Sequence, residues 1–270
     1  MQPLADVTTL AEAEPLGPGS IAVAGLRHVY ASREGAVHAL EDIAQTVRRG
    51  QFVVIVGPSG CGKSSLLMML AGLLRPTTGE IRCGGNLVTE PDPKRIGVIF
   101  QEASLYPWLS AQENVEFPLL IRHEPKVRRR ERAHAALSLV GLSGFERRYP
   151  HELSGGMKQR VAIARGLVQD PDILLMDEPF AALDEQTRMI MGDELLHIWE
   201  KTTKTVVFVT HSLTEAVYLA DQVLVMSARP GRIIDRIDIP LERPRNYDMM
   251  AGEVFAKLRD RIWRQIRVAK

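Results

Sequence analysis

A glycine-rich segment near the start of the chain carries the residue types that bind phosphate. It follows the spacing G-x-x-x-x-G-K-[ST], after the apolar run Phe52–Val56 and before an apolar helical stretch. Glycines let a backbone wrap closely around phosphate oxygens, and N–H groups at a helix N-terminus then face the anion. The residues of this phosphate loop, with the serine that follows it, are Gly57, Pro58, Ser59, Gly60, Cys61, Gly62, Lys63, Ser64 and Ser65.

Two side chains at the end of the phosphate loop suit a nucleoside triphosphate. Lys63 is expected to reach the β- and γ-phosphates, and the hydroxyl of Ser64 is expected to ligate Mg²⁺. A phosphate loop alone does not separate GTPases, kinases and motor ATPases, so a second motif is needed to choose among them.

Two carboxylates, Asp177 and Glu178, directly follow the apolar run 173–176. A strand that ends in carboxylates delivers them to the edge of a sheet where ligands bind. Asp177 can hold Mg²⁺ directly or through water, and Glu178 can polarise the attacking water. A lone acidic pair in this position is often a helix cap, but together with Lys63 we interpret it as catalytic.

Continuous apolar runs predict the strands that position these residues. Continuous runs, unlike alternating ones, are typical of a sheet covered on both faces, and the helical stretches between them favour an α/β core with mostly parallel strands. Residues 21–45 instead predict short antiparallel strands. The runs are Phe52–Val56, 96–100, 173–176, 206–209 and 223–226.

The remaining segments predict helices and set the expected domain boundaries. Residues 1–20 are expected to be a flexible tail, and residues 21–270 to form one α/β ATPase domain. Within it, residues 102–166 are rich in helix formers and predict an inserted helical subdomain, whose charged run 126–132 is interpreted as a solvated face. Helices are also predicted over residues 185–201 and, in a short C-terminal tail at 241–270, over residues 254–268.

Composition excludes several classes of function. The 270 residues include 34 basic and 33 acidic side chains, a net charge of +1, which gives no electrostatic reason to expect nucleic-acid binding. Cys61 and Cys83 are expected to be reduced thiols. The N-terminus is not typical of a secretory signal. The longest apolar run, residues 66–74, is far shorter than the roughly 18–20 residues that span a membrane, so another chain would have to cross it.

A serine followed by two glycines identifies the family. The segment from Leu153 to Met157 reads LSGGM and precedes a helical stretch, upstream of the acidic pair. Ser154 can cap that helix, whose first N–H groups, with Gly155 and Gly156, can bind an anion. Placed between a phosphate loop and a catalytic acidic pair, this segment resembles the signature motif of the ATP-binding cassette (ABC) ATPases.

Other motifs follow in the order of that family. The resemblance implies that Gln101 is the Q-loop glutamine, which senses Mg²⁺ and the attacking water, and that residues 182–184 form the D-loop. His211 resembles the switch histidine that contacts the γ-phosphate. Tyr30 resembles the aromatic residue that stacks on adenine, although a core tyrosine is the alternative interpretation.

Longer stretches are similar to the ATPase subunits of the nitrate, sulfonate and taurine importer group. Met157 replaces a glutamine of the wider family that is not the catalytic one. Ala181 and Ser212 also depart from the common pattern without removing a catalytic group. The stretches are GPSGCGKSSLL, LYPWLSAQENV, LSGGMKQRVAIARGL, MDEPFAALD and VYLADQVLVMSARPGRI.

The resemblance implies a motor at the cytoplasmic face of the membrane. Two copies would enclose two ATP molecules head-to-tail with Mg²⁺, and their closure would drive a separate transmembrane permease. The cargo would be a small anionic solute such as nitrate, a sulfonate, taurine or bicarbonate, delivered by an extracytoplasmic binding protein. The segment from Ala103 to Asn114 is the expected docking surface for the permease; internal packing of its bulky residues is the alternative.

Three other classes of protein compete with this interpretation. Cassette ATPases of DNA repair or translation usually have long coiled coils or two fused cassettes, and this chain has one phosphate loop and one signature. A P-loop GTPase or kinase would leave the signature unexplained, and no N-K-x-D motif is present. An exporter motor is the third, although exporters often fuse the membrane domain to the same chain.

Overall fold

A computed structural model of the chain describes residues 17–32 and 35–268, so residues 1–16 of the predicted tail lie outside the described residues. The strands are β1 (Ile21–Ser32), β2 (Gly35–Val47), β3 (Phe52–Val56), β4 (Thr78–Cys83), β5 (Asn86–Leu87), β6 (Ile96–Ile99), β7 (Ile173–Asp177), β8 (Thr205–Val209), β9 (Gln222–Met226) and β10 (Ile233–Asp238). The α-helices are α1 (Lys63–Leu70), α2 (Ala111–Ile121), α3 (Lys126–Leu139), α4 (Gly155–Leu167), α5 (Glu185–Thr202), α6 (Leu213–Leu219) and α7 (Glu253–Val268).

A six-stranded sheet forms the centre of the molecule, in the order β10-β9-β3-β8-β7-β6. The pairs β9–β3, β3–β8, β8–β7 and β7–β6 are parallel, and only β10 runs antiparallel to its neighbour. Every residue of β3 and β8 is buried, as the continuous apolar runs predicted. The predicted α/β class with a mostly parallel sheet is confirmed.

The first two strands are longer than the sequence indicated. β1 and β2 have 12 and 13 residues and belong to an antiparallel sheet of order β2-β1-β4-β5. The prediction of short strands over residues 21–45 was therefore wrong, although their antiparallel pairing was right. Register shifts interrupt β1, and Gly25 lies in one of them with φ +53°. A bulge breaks the alternation of side chains without ending the strand, which explains the error.

Two apolar cores lie on the two faces of the central sheet. Phe52 and Val54 of β3 belong to the core shared with α2–α7, while Val53 and Ile55 belong to the core shared with α1 and the antiparallel sheet. This division follows from the two-residue period of a strand. Because both faces are covered, the exposed edge at the carboxyl ends of the strands is the place left for a ligand.

Helices α2, α3 and α4 pack against one another between β6 and β7, within the predicted helical insertion. Helix α2 begins with a capping box, in which Ser110 accepts from the backbone N–H of Glu113 and the Glu113 side chain accepts from Ser110. The buried Asn114 amide donates to the carbonyls of Tyr106 and Leu109 and so fixes the preceding turn. The exact limits of the insertion and of the C-terminal tail stay predictions.

The C-terminal helix α7 is one residue longer at its start than predicted and buries Phe255 and Ile262. It contacts α6, β9 and β10, so the last part of the described chain belongs to the same core. Among residues 17–32 and 35–268, none of the helices combines the length and the apolar character needed to cross a bilayer.

Candidate functional site

The phosphate loop connects the end of β3 to the start of α1. Gly62 is the N-cap of α1 and has φ +102°, a conformation that favours glycine. A side chain at Gly57 would place its Cβ 2.8 Å from the carbonyl oxygen of Met226, at the end of β9. The loop therefore needs glycine both for its turn and for its close contact with the neighbouring strand.

Lys63 is buried under the loop that it terminates. Its Nζ donates to the carbonyl oxygens of Gly57 and Pro58, each at 3.0 Å. The Sγ atom of Cys61 lies 4.0 Å from the same nitrogen, and burial raises the pKa of the Cys61 thiol. The loop thus encloses one ammonium group and a protonated, neutral thiol.

A cavity of about 360 Å³ opens over the phosphate loop. A larger cavity of about 610 Å³ lies beside α2 and contains no phosphate-loop residue, so the smaller one is the candidate nucleotide site. The residues lining the smaller cavity are Tyr30, Val37, Ala39, Ser59, Gly60, Gly62, Lys63, Ser64, Ser65, Glu178 and Arg229.

Tyr30 lies at the mouth of this cavity. Its hydroxyl forms a 2.9 Å hydrogen bond with the Ser65 hydroxyl, and its ring packs edge-on against His28 at 4.4 Å. The residue is 41% exposed. The alternative of a core tyrosine does not hold, and an exposed ring at this place suits stacking on a nucleobase.

The two carboxylates at the end of β7 have different surroundings. Burial raises the pKa of Asp177, and a hydrogen bond from Ser64 and the charge of Lys63 act in the opposite direction. The Oδ1 atom of Asp177 is buried without a hydrogen-bond partner among the described residues. A buried, unsatisfied carboxylate oxygen beside a hydroxyl fits Mg²⁺, which prefers oxygen ligands. Asp177 and Ser64 are therefore the residues that would hold the ion.

Glu178 faces the cavity from a strained backbone. Its φ is +44°, which is uncommon for a residue with a side chain, and its N–H donates to the carbonyl of Val209 at 2.9 Å. The Glu178 Oε2 atom lies 3.2 Å from Nδ1 of His211, which follows β8. Two residues that were predicted separately, Glu178 and His211, are thus brought together at one edge of the sheet.

Nine predicted site residues are not among those that line the cavity: Gly57, Pro58, Cys61, Gln101, Ser154, Gly155, Gly156, Asp177 and His211. Gln101 is exposed after β6, and Ser154 caps α4 by accepting from the N–H of Met157 at 3.3 Å. Gly155 is exposed at the same helix end, and a Cβ at Gly156 would lie 3.1 Å from Thr187 at the start of α5. The signature segment of this chain contributes no residue to the lining of the cavity over its own phosphate loop.

Sequence reasoning missed three residues that line the cavity, Val37, Ala39 and Arg229. Val37 and Ala39 belong to β2, which was predicted without any role at the site. Arg229 follows β9, and its Nε donates to the carbonyl of Gly60 at 2.7 Å. A basic residue just after a predicted parallel strand was the available signal, because such strands share one ligand-binding edge.

A partly buried polar network holds the loop that carries His211. The Thr210 hydroxyl donates to Oε2 of Glu215 at 2.5 Å, and the Nε of Arg188 lies 3.5 Å from Oε1 of the same carboxylate. Arg188 also donates to the carbonyl of Leu183 at 2.9 Å. The network joins the residues preceding α5 to the residues preceding α6.

Comparison with known proteins adds independent evidence. The family model described as ABC transporter matches residues 40–181. A putative ATP-binding protein of Brucella abortus biovar 1 is 50% identical over 234 residues, which cover 87% of this chain and 90% of that protein. An aliphatic sulfonates import ATP-binding protein, SsuB of Bacillus cereus, is 43% identical over 236 residues, 87% of this chain and 91% of its own length.

A solved structure has a similar fold. It is the dimeric, post-hydrolysis state of the ATP-binding cassette MJ0796 bound to ADP and Pi, with a TM-score of 0.73 and 32% identity. The match covers 82% of this chain and 100% of that chain.

Proposed function

The chain belongs to the ABC transporter family of ATP-binding proteins, and on that premise we propose that it is the motor subunit of an importer. It hydrolyses ATP in the presence of Mg²⁺, as an ATPase coupled to transport. In the proposed role it drives a separate transmembrane permease that takes up a small anionic solute such as nitrate, a sulfonate, taurine or bicarbonate. The 43% identity to a protein of aliphatic sulfonate import supports the importer class.

The observation that carries the proposal is the composition of the cavity over the phosphate loop. Lys63, Ser64 and Glu178 line one cavity, and Glu178 is hydrogen-bonded to His211. These are the groups that hydrolysis of a phosphoanhydride requires: a cation and N–H groups for the phosphates, and a base for water.

The proposed reaction assigns one task to each of these residues. The loop N–H groups and Lys63 bind the phosphate chain, and Tyr30 stacks on adenine. Ser64 and Asp177 would hold Mg²⁺ with the help of Gln101, and the bound ion would supply positive charge for the phosphate oxygens. Glu178 accepts the proton of the attacking water while the bond from the γ-phosphorus to the bridging oxygen breaks. His211, held by Glu178, contacts the γ-phosphate.

A second copy of the chain completes the proposed site. Ser154 and Gly155 are exposed at the N-terminus of the 13-residue helix α4 and are absent from the cavity of their own chain. Helix N-termini stabilise anions. In the proposed dimer, Ser154, Gly155 and Gly156 of one copy cover the triphosphate on the phosphate loop of the other, so ATP joins the two copies.

The permease is proposed to dock at the cytoplasmic face of the membrane on the segment from Ala103 to Asn114. Trp108 is 70% exposed and borders the 610 Å³ cavity beside α2. Tyr106 instead packs on Phe117, with ring centroids 4.4 Å apart. An exposed tryptophan beside a cavity is a typical interface anchor, whereas Tyr106 supports the surface from below. The extracytoplasmic binding protein would contact the permease and not this chain, and no nucleic acid takes part.

Co-purification from membranes followed by an ATPase assay tests this proposal. The full chain is expected to purify with an integral membrane partner, and one of the named anions is expected to raise its ATPase rate. Trp108→Ala should weaken the complex, while Trp263→Ala, at a 48% exposed tryptophan of α7, should leave it intact. An active ATPase recovered without any membrane partner, or equal loss in both variants, would contradict the importer role.

A further inference from the structure

The loop between β9 and β10, residues 227–232, packs directly on the phosphate loop. A Cβ at Gly231 would lie 2.1 Å from the carbonyl oxygen of Cys61, so only glycine permits this approach. Met226, the last residue of β9, makes a similar backbone contact, because a Cβ at Gly57 would lie 2.8 Å from the Met226 carbonyl oxygen. The two backbones therefore touch at two points, and the β9–β10 loop forms one wall of the nucleotide site.

The β9–β10 loop is anchored firmly enough to position a side chain. The N–H of Gly231 donates to the carbonyl of Ala39 at 2.9 Å, and the N–H of Glu41 donates back to Gly231 at 3.0 Å. Arg232 forms a 2.6 Å ion pair with Glu41 of β2. Within the loop, the Ser227 hydroxyl donates to the carbonyl of Pro230 at 3.0 Å.

The side chain of Arg229 extends from the β9–β10 loop to the cavity over the phosphate loop. Its Nε donates to the carbonyl of Gly60 at 2.7 Å, and its Nη2 lies 3.1 Å from the position of a Cβ at Gly60. No other described residue accepts a hydrogen bond from this guanidinium. Arg229 and Lys63 are the two cationic side chains that line the cavity.

We propose that Arg229 is a nucleotide-binding residue of this site. By holding the Gly60 carbonyl it orients the glycine turn so that the loop N–H groups face the ligand, and it directs its remaining N–H groups at the phosphate chain. A guanidinium suits this task because it is always charged and offers several donors in a plane. The inference rests on the proposed function, since it takes ATP as the ligand of the cavity.

The position of Gly60 predicts which phosphates are affected. Backbone N–H groups of such a loop cradle the α- and β-phosphates, which ATP and ADP share. Loss of Arg229 should therefore weaken the binding of MgATP and the binding of MgADP by the same factor. Loss of a contact with the γ-phosphate would instead weaken the binding of MgATP alone.

Equilibrium binding of MgATP and MgADP to the full-length protein tests the inference. We expect Arg229→Ala to raise both dissociation constants by about 3- to 10-fold, and Arg229→Lys, which keeps the charge but not the planar fork, by less. The matched control is Arg232→Ala, which removes the other arginine of the loop and should stay within about 2-fold. In the ATPase assay, KM for MgATP should rise more than kcat falls.

Each other outcome is decisive. Wild-type affinity in Arg229→Ala would overturn the inference and leave the proposed function standing, whereas a wild-type protein that binds no MgATP would overturn the proposed function itself. If Arg232→Ala weakened nucleotide binding as much as Arg229→Ala, the effect would belong to the loop in general, and this result would also overturn the inference. If Arg229→Ala does not fold, Arg229→Lys and Arg229→Gln replace it, and unchanged affinity in both overturns the role.

Discussion

At the scale of single residues, Glu178 combines a position facing the cavity with a strained backbone conformation. A φ of +44° in a residue with a side chain costs roughly 1–3 kcal/mol, and such strain persists where the surrounding structure imposes it. The imposing contact is the hydrogen bond from the Glu178 N–H to Val209, which ties the end of β7 to the end of β8. The carboxylate is thereby turned toward the cavity and His211.

Replacing this carboxylate by an amide tests its chemical role. Glu178→Gln keeps the size of the side chain and a hydrogen-bonding atom for His211, but an amide cannot accept the proton of water. Turnover is expected to fall by about 10²- to 10⁴-fold while MgATP binding persists. Single-turnover ATPase assays and equilibrium binding measure the two properties separately. A variant with wild-type turnover would remove Glu178 from the role of general base.

The buried thiol of Cys83 predicts a pH dependence of stability. Burial raises the pKa of Cys83 to about 12, whereas a thiol in the unfolded chain ionises near pH 8.5. Between these values the unfolded state releases a proton that the folded state retains. The stability contributed by the protonated thiol is thus complete at pH 8 and is lost progressively as pH rises toward 12.

Cys83→Ala removes this titration. Between pH 9 and 10.5 the free energy of unfolding should fall less steeply in the variant, by at most about 1.4 kcal/mol per pH unit. Urea unfolding at a series of pH values measures both slopes, and the constant effect of lost packing cancels in the comparison. Parallel curves for the two proteins would rule out the buried thiol as the cause.

At the level of secondary-structure elements, the network of Arg188, Glu215 and Thr210 connects the start of α5 with the start of α6. Burial raises the pKa of Glu215, while the hydrogen bond from Thr210 and the charge of Arg188 oppose that shift. Because Thr210 immediately precedes His211, the network fixes the histidine relative to Leu183 and the turn before α5.

Glu215→Ala tests this connection. The variant leaves the buried Thr210 without its acceptor and removes one partner of the partly buried Arg188, so we expect a loss of about 1–3 kcal/mol in stability. Turnover should fall about 10-fold, because small displacements of catalytic groups are costly. Glu185→Ala is the control, since it removes an exposed partner of the same Arg188 and should change stability by less than about 1 kcal/mol. Equal effects of the two variants would contradict a specific role for the buried carboxylate.

The central sheet and most of the cavity were predictable because their signals are local. The runs 173–176 and 206–209 lie within strands observed at β7 and β8, and the phosphate loop directly follows a predicted strand. A basic residue after a predicted strand was a local signal for Arg229, but its contact with Gly60 depends on the pairing of β9 with β3, which no local pattern encodes. The length of β1 was missed because bulges interrupt its alternation. The backbone strain at Glu178 has no signature in residue type.

At the scale of the whole molecule, the signature segment is absent from the lining of the cavity over the phosphate loop, and the proposed assembly supplies it from a second copy. The proposed assembly predicts that Ser154→Arg prevents dimer formation, because a bulky cation replaces the small cap that covers the partner's nucleotide. Sedimentation with MgATP, in a Glu178→Gln background that slows hydrolysis, should show dimers for the parent and monomers for the variant. Nucleotide binding to each monomer should persist at reduced affinity.

Ser138→Arg provides the control for that experiment, since it adds the same bulk and charge on the exposed surface near the end of α3. It is expected to dimerise like the parent. Dimers of normal affinity in Ser154→Arg would show that the signature segment does not form part of the interface.

The central position of β3 has a consequence for how the protein is made. Strand β3 and the phosphate loop that follows it leave the ribosome early. Both strands that pair with β3, β8 and β9, lie beyond residue 204 and are made much later. At about 5–20 residues per second, translation takes on the order of 10 to 30 seconds to cover that interval. During this time the nascent chain presents a wholly apolar strand with no sheet beside it, which makes it a natural client for chaperones.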